Sequence, residues 1–127
     1  MHADGPYLNT LSGHVIGCAF TVLNTLGAGF LEKVYENAFA LELRDVGLLV
    51  AQQYPISVTY KGSVIGQYSV DLLVEEVLMI ELKTARALDE VHRLQCVNYL
   101  KATGLNLCLL LNFGKPKLEF RRVIHGR

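Results

Sequence analysis

The sequence predicts an α/β domain whose mixed central sheet is flanked by helices. Apolar residues recur at helical spacing near the start of the chain and again at residues 88–103, while alternating or continuous apolar runs between and after them are typical of strands. With 127 residues, 51% of them hydrophobic, the chain is large enough for one domain with a substantial core. The predicted order is α-α-β-β-β-α-β-β in a single domain of residues 1–127, whose residues 1–6 are expected to be flexible.

Two helices begin the predicted order. Gly27 and Gly29 interrupt the helical pattern between them, and the second helix continues through about Val46. Gly47 is expected to end it, because glycine readily adopts the left-handed conformation that follows a last helical turn. The first helix is indicated by apolar residues at steps of three and four: Leu8, Leu11, Val15, Cys18, Val22 and Leu26.

The middle of the chain carries the pattern of strands. Residues 48–61 predict one long strand with an interruption near Pro55, and the Lys61–Gly62 pair predicts a turn. Residues 63–74 and 77–83 predict a second and a third strand.

The last part of the chain returns to helix and then to strands. Residues 88–103 have an apolar side of helical spacing, with Gly104 at the end. Residues 105–113 form a nearly continuous apolar run, which is typical of a strand covered on both faces. A turn at Gly114 is predicted to precede a basic final strand at residues 117–123.

The overall charge of the chain provides no argument for nucleic-acid binding. Twelve acidic residues balance twelve basic ones, so any case for nucleic-acid binding must rest on local charge. Basic residues do gather near the C-terminus, where phosphate contact and solvation of a final strand are both open interpretations: Lys115, Lys117, Arg121, Arg122 and Arg127.

The cysteines and the apolar stretches predict a soluble, cytoplasmic protein. Cys18, Cys96 and Cys108 are odd in number and lack metal-type spacing, which favours buried, reduced thiols. The first ten residues do not have the basic and apolar regions of a signal peptide, and the apolar stretches are too short and interrupted to span a bilayer.

Three charged residues lie inside two neighbouring apolar strands. Because side chains alternate along a strand, Glu81 and Lys83 share one face of the third strand. A three-residue loop after the second strand would place Asp71 opposite Glu81, with Cβ atoms roughly 5 Å apart. A two-residue loop would place Asp71 opposite Ile80, on the hydrophobic face.

The sequence supports two interpretations of these charges about equally, a metal site and a structural salt bridge. Carboxylates at such a distance repel unless a cation lies between them, and oxygen ligands favour Mg²⁺ or Mn²⁺. Lys83 would then hold an attacking water or stabilise charge that develops on a phosphate. The alternative is a structural salt bridge from Lys83 to Glu81 or Asp71.

Two ordered motifs give the chain a resemblance to known nucleases. Asp71 is followed by Glu81-Leu82-Lys83 between two helices, and residues 29–35, GFLEKVY, match the pattern G-x-x-E-x-x-Y. The chain thereby resembles the PD-(D/E)xK nuclease superfamily, and within it the GxxExxY protein family. The resemblance implies a restriction-endonuclease-like αβββαβ core with an extra N-terminal helix. It departs at Val70, which stands where the named proline of the superfamily precedes the aspartate.

The resemblance also implies roles on the helix before the sheet. Glu32 matches the acid that completes the metal site with Asp71 and Glu81 in the superfamily, and Glu36, one turn further along, is its competitor. Tyr35 lies on the same helix face as Glu32 and is expected to orient it or to contact the substrate. Without the resemblance, the alternative is an exposed helical glutamate beside a half-buried tyrosine.

On the later helix, Gln95 and Tyr99 resemble the Q-x-x-x-Y motif of helicase-associated nucleases in this superfamily. Both are therefore expected to support the active site. His92, on the same stripe of the helix, is predicted to contact the substrate, with a surface or packing role as the alternative. Arg86, Arg93 and Lys101 are predicted to contact phosphates, with solvation of the helix as the alternative.

Three functions follow from these observations. The first is a metal-dependent phosphodiesterase acting on DNA or RNA, with Asp71, Glu81 and Glu32 as ligands of Mg²⁺ or Mn²⁺. The second is a non-catalytic nucleic-acid-binding or accessory module that keeps the nuclease fold, for which zero net charge and small size argue. Such a compact chain would clamp a duplex as a homodimer or with a partner protein. The third is a metal hydrolase of a smaller phosphate ester.

Overall fold

The computed structural model describes residues 5–125, which form three helices and five strands in the predicted order. Residues 1–4, part of the segment expected to be flexible, and Arg127 lie outside the described residues. The helices are α1 (Gly5–Leu26), α2 (Glu32–Asp45) and α3 (Glu90–Thr103). The strands are β1 (Val50–Tyr60), β2 (Ser63–Val74), β3 (Leu78–Lys83), β4 (Leu107–Asn112) and β5 (Glu119–Ile124).

The strands form one mixed sheet in the spatial order β1-β2-β3-β4-β5. Neighbours are antiparallel except β3 and β4, which are parallel and are connected through α3. A parallel pair needs such a crossover, because its strands must start from the same edge. Strand β3 is therefore the central strand, and its C-terminal end lies beside that of β4.

Each face of the sheet has its own apolar core. Leu72, Ile80 and Leu82 belong to the core that includes residues of α1 and α2, whereas Leu73 and Met79 belong to the core shared with α3. Every residue of β4 is buried, which confirms the strand covered on both faces. Each of the three cysteines is buried and free of disulfide bonds.

The expected interruption near Pro55 lies at Gln53. Gln53 has a φ of 52°, while its neighbours Gln52 and Tyr54 keep their pairing with Leu72 and Val70 of β2. Pro55 itself is accommodated because β1 is an edge strand, where a missing N–H need not break the ladder.

The helix ends follow the predicted chemistry. Gly47 and Gly104 have φ values of 89° and 76°, in the left-handed region expected after α2 and α3. At its start, α3 has a capping box in which the Asp89 side chain accepts from the N–H of His92 and the His92 ring accepts from the N–H of Asp89. Within residues 5–125, no helix has the length and apolar character needed to cross a bilayer.

A tight contact joins the ends of the two parallel strands. The buried Asn112 side chain donates to Ala85 O at 2.9 Å and accepts from Ala85 N–H at 2.9 Å. Beside it, a Cβ on Gly114 would lie 2.6 Å from Ala85 N and 2.7 Å from the carbonyl carbon of Thr84. The loop that leads from β3 to α3 is therefore fixed against the end of β4.

We expect Gly114→Ala to lower the free energy of unfolding by about 1–3 kcal/mol, because the added methyl group overlaps backbone that Asn112 holds in place. Urea denaturation measures the change. The matched control is Gly13→Ala in α1, where an added Cβ meets nothing within 4 Å. That variant should gain up to about 1 kcal/mol from better helix propensity. Equal stability of Gly114→Ala and the wild type would contradict the close contact.

Candidate active site

The register of the β2–β3 hairpin confirms the three-residue loop. Val74 pairs with Leu78, and the register continues through Leu72, which pairs with Ile80. One step further along the same register, Asp71 stands opposite Glu81. The metal-site interpretation required this alignment, since the other register would have put Asp71 opposite a hydrophobic residue.

At this position the two carboxylates bond to the neighbouring strand's backbone. The N–H of Asp71 donates to Glu81 Oε1 at 3.3 Å, and the N–H of Leu82 donates to Asp71 Oδ2 at 2.8 Å. The paired residues of β2 and β3 extend only from the turn to Leu72 and Ile80. Asp71 and Glu81 are 9% and 6% exposed, so both acids are held where the strands stop pairing.

Lys83 extends the same face of β3 towards solvent. Its Nζ lies 3.6 Å from Glu81 Oε2, and its side chain is 20% exposed against 7% for that of Glu81. The ion pair offered as the alternative interpretation is therefore present. Because Lys83 is the more exposed partner, its ammonium group remains available to a ligand that enters from solvent.

Glu81 resists ionisation at this buried position beside Asp71. Burial, and then the charge of Asp71, raise the pKa of Glu81 to about 8, against the opposing effect of Lys83. Without a further positive charge, Glu81 therefore tends to hold a proton at neutral pH. A cation placed beside these oxygens would favour the ionised form instead.

Glu32 lies at the start of α2, within electrostatic reach of this pair. Burial raises its pKa, the charge of Asp71 adds to the effect, and Lys83 opposes it. Within residues 5–125, however, no group of three or more His, Cys, Asp or Glu side chains is arranged to hold a metal ion. Glu32, Asp71 and Glu81 are thus electrostatic neighbours rather than a closed ligand set.

Glu36, the competitor of Glu32, is the more deeply buried of the two. Glu36 is 3% exposed, and its Oε2 accepts from Gln52 Nε2 at 2.9 Å and from Lys33 Nζ at 3.0 Å. Its Oε1 accepts from Gln53 Nε2 at 2.8 Å. Glu36 is therefore fully engaged by neighbouring side chains, whereas Glu32 remains at the rim of the site.

Gln53 connects Glu36 to Asp71 of β2, a role that was not predicted from the sequence. Its Nε2 donates to Glu36 Oε1 and also to Asp71 Oδ1 at 3.1 Å, while its Oε1 accepts from Ser69 Oγ at 2.8 Å. The left-handed backbone at Gln53 accompanies this bridge. The sequence feature that could have indicated this role is the pair of polar residues Gln52 and Gln53 within a predicted strand.

Tyr35 does not lie where a substrate could reach it. It is 0% exposed, its ring stacks on Phe113 at 5.1 Å, and its hydroxyl donates to Gly27 O and accepts from the N–H of Phe30. The Tyr35 hydroxyl is therefore bonded to the loop and not to Glu32 or a substrate, contrary to the prediction. Tyr35 instead holds the loop between α1 and α2, which fixes where α2 and Glu32 begin.

Gln95 and Tyr99 are brought to the edge of the site. Gln95 Nε2 donates to the Tyr99 hydroxyl at 3.0 Å, and Tyr99 is 6% exposed. Burial, and then the charge of Glu81, raise the pKa of the Tyr99 phenol above its ordinary value. Tyr99 therefore remains a neutral hydrogen-bonding group close to the hairpin carboxylates.

The remaining predicted residues are placed differently. His92 is engaged in the cap of α3, where its Nδ1 lies 3.4 Å from Asp89 Oδ1, so its structural role replaces the expected substrate contact. Arg93 pairs with Glu90 on the exposed side of α3, which supports the interpretation as a solvated helix. Arg86 is exposed in the loop before α3 and remains able to meet a phosphate.

The donor set suits a divalent cation. Asp71, Glu81 and Glu32 supply carboxylate oxygens, which hard cations such as Mg²⁺ and Mn²⁺ prefer. The raised pKa of Glu81 reflects its burial first and the charge of Asp71 second, and a cation beside both carboxylates would favour the ionised form. These residues therefore fit the metal implied by the resemblance, with Glu32 needing to approach the pair.

Comparisons with known proteins identify the family and the fold. The family model of the PD-(D/E)XK nuclease superfamily matches residues 9–123, which confirms the predicted restriction-endonuclease-like fold. No curated protein matches the sequence.

Two solved structures are similar to the chain. The crystal structure of SSO0001 matches with a TM-score of 0.55 and 13% identity, over 75% of this chain and 50% of that one, so this chain spans half its length. An alkaline exonuclease (LHK-Exo) from Laribacter hongkongensis matches with a TM-score of 0.45 and 13% identity, over 99% of this chain and 73% of that one. The likeness to SSO0001 is one of fold.

The raised pKa of Glu81 predicts a pH-dependent stability in the presence of a chelator. The folded state holds the Glu81 proton more tightly than the unfolded state, so this stabilisation is full below about pH 4.5 and is lost as the pH rises to about 8. Glu81→Gln, which stays neutral, should therefore gain stability relative to wild type across this interval. The gain should reach a few kcal/mol, since one pKa unit corresponds to about 1.4 kcal/mol.

Urea denaturation at pH 5 and pH 8.5 measures the difference. Glu76→Gln, at the exposed turn of the same hairpin, is the matched control and should follow the wild type at both pH values. A constant difference between Glu81→Gln and wild type at the two pH values would contradict the assignment.

Proposed function

The chain belongs to the PD-(D/E)XK nuclease superfamily, and on that premise we propose that it is a metal-dependent phosphodiesterase that hydrolyses the backbone of DNA or RNA. One observation carries the proposal. Asp71 and Glu81 are buried side by side where β2 and β3 stop pairing, with Lys83 on the same face of β3. A structural ion pair needs one carboxylate, whereas this arrangement keeps two at the cost of their mutual repulsion.

Asp71 and Glu81 would bind the metal, with Glu32 joining them from the start of α2. Nucleases of this superfamily generally use divalent metals. When bound, Mg²⁺ or Mn²⁺ would stabilise the negative charge that develops at the phosphorus during in-line attack. The hydrogen bonds from Leu82 N–H and Gln53 to Asp71 hold its carboxylate in one orientation before any ligand arrives.

Lys83 would act on the phosphate and on the attacking water. Its ammonium group has three donors, of which the pairing with Glu81 at 3.6 Å occupies one direction. The others can hold a water in line with the phosphorus and donate to a non-bridging oxygen, where charge increases in the transition state. Gln95 and Tyr99 would support the site from α3, as a hydrogen-bonded pair beside Glu81.

Membership of the GxxExxY protein family is part of the proposal. The motif residues have separable roles in this fold: Gly29 has a φ of 113°, which favours glycine, and Tyr35 fixes the loop on either side of it. Glu32 alone among them lies within electrostatic reach of Asp71. In this proposal, the loop and helix start formed by the motif place the Glu32 carboxylate near the sheet.

A non-catalytic accessory module is the second candidate. It is favoured by the lack, within residues 5–125, of three acidic, histidine or cysteine side chains arranged to hold a metal. The zero net charge of the chain also gives no general attraction for a polyanion. Such a module would act on nucleic acid as a homodimer or with a catalytic partner, and it would need neither metal binding nor Lys83.

Metal binding separates the two candidates. We expect Mg²⁺ or Mn²⁺ to bind with an affinity that falls at least about tenfold in Asp71→Asn, because changes even behind metal ligands have effects of this size. Isothermal titration calorimetry measures the affinity. Glu76→Gln removes an exposed carboxylate from the turn of the same hairpin and should bind as the wild type does. Absence of binding that depends on Asp71 would favour the accessory module.

Cleavage tests the chemistry. We expect metal-dependent cleavage of DNA or RNA, with kcat reduced about 100- to 1000-fold in Lys83→Ala, as for the loss of other donors that stabilise a transition state. Single-stranded, double-stranded and branched DNA and RNA should be assayed by gel. Lys61→Asn, which removes an exposed lysine from the turn between β1 and β2, is the control and should cleave normally.

Cleavage that survives in Lys83→Ala would contradict the proposed mechanism. Activity on a small phosphodiester but on none of the polymers would favour the hydrolase of a smaller ester.

A further inference from the structure

A groove lies between α3 and the outer part of the β1–β2 hairpin. Its volume is about 730 Å³, which is within the range of sites that bind small molecules or parts of polymers. Strand β2 supplies Ile65 and Tyr68 to the groove, and α3 supplies Leu94, Gln95 and Tyr99. The groove uses the part of β2 that continues beyond its pairing with β3.

An exposed aromatic ring forms part of the groove wall. Tyr68 is 56% exposed, and its ring centroid lies 6.1 Å from that of the buried Tyr99 at an interplanar angle of 52°. Ile65 and Leu94 are 64% and 45% exposed beside it. Tyr68 is therefore supported on one side while much of its surface stays open to a planar, apolar ligand.

The groove shares Gln95 and Tyr99 with the candidate active site. Tyr99 lines the groove and also lies within the electrostatic influence of Glu81 and Asp71. Gln95, whose amide donates to the Tyr99 hydroxyl, lines it as well. A nucleic-acid strand with one phosphate at Asp71 and Glu81 could therefore place an adjacent nucleotide against α3.

The charge of the groove suits a nucleotide. Of the described residues that line it, Lys101 alone carries a charge, so the wall attracts a phosphate and presents no carboxylate to repel it. Gln95 and Asn98 add amide groups that can both donate to and accept from a base edge. An apolar wall with an aromatic ring, amides and one cation is the chemistry by which proteins bind unpaired bases.

We propose that this groove binds an unpaired base of the substrate strand next to the phosphate to be cleaved, with the base stacked on Tyr68 and Lys101 near the backbone. The proposal rests on the proposed nuclease function and defines its substrate class. A base inside a duplex is already stacked on both faces, so occupation of the groove requires a single strand or a frayed end.

Binding measured without cleavage tests the groove. A short fluorescein-labelled oligothymidylate and a blunt duplex of the same length are titrated at one salt concentration with chelator present, and anisotropy reports the affinity. We expect the single strand to bind more tightly than the duplex. Tyr68→Ala should weaken single-strand binding at least about fivefold, the lower limit of what one stacked base contributes. Tyr68→Phe should stay within about twofold of wild type.

Matched variants distinguish stacking from general damage. Tyr7→Ala removes a tyrosine of similar exposure, 47%, from α1 on the opposite side of the sheet and should leave binding unchanged. Leu94→Glu and Leu94→Lys remove the same apolar side chain from an exposed position. The glutamate should weaken binding by repelling the phosphate, whereas the lysine should not.

Equal single-strand affinity of Tyr68→Ala and wild type would overturn the proposal, and so would equal affinity for the duplex or no binding by the wild type. The nuclease function is judged separately by metal-dependent cleavage and its loss in Lys83→Ala. If single-strand binding depends on Tyr68 but the protein cleaves no substrate, the proposal of base binding in the groove stands and the proposed nuclease function is wrong.

Discussion

The structure depends on two carboxylates held together where a sheet would normally continue its ladder. Asp71 and Glu81 accept backbone hydrogen bonds across the junction of β2 and β3, so they are structural parts of the hairpin as well as its main source of electrostatic strain. Neither can be withdrawn without leaving a buried N–H unsatisfied, at a typical cost of about 1–3 kcal/mol. The backbone thereby holds the two acids together, and a positive charge that enters the site would favour the ionised form of Glu81.

The surrounding polar groups are organised around this junction. Gln53 links Asp71 to Glu36, and Glu36 is in turn held by Lys33, so one edge of the site is connected to α2. On the other side, Asn112 fixes the loop that follows β3 and therefore the path to α3. The helices thus approach the sheet at positions set by buried or half-buried polar side chains, and the two apolar cores fill the space between them.

The order of the helices and strands and the alignment of Asp71 with Glu81 could be predicted because they follow from periodicity. Side chains alternate strictly along a strand, so one assumption about loop length aligned Asp71 with Glu81. The roles of Tyr35 and Gln53 could not be predicted in this way. Helical spacing shows that Tyr35 and Glu32 share a face, but the stacking on Phe113, distant in sequence, decides that Tyr35 is buried. His92 did carry a local signal, since an aspartate three residues earlier is typical of a helix cap.

The central position of β3 has a consequence for how this protein could change over evolution. Many enzymes carry reactive groups on surface loops, which can be replaced while the scaffold stays intact. Here Glu81 and Lys83 belong to the central strand of the sheet and pair with β4. New specificities are therefore more readily acquired at the periphery, in the β1–β2 hairpin and on the outer face of α3. The proposed reaction would be inherited almost unchanged, or lost in a single step that leaves a stable fold.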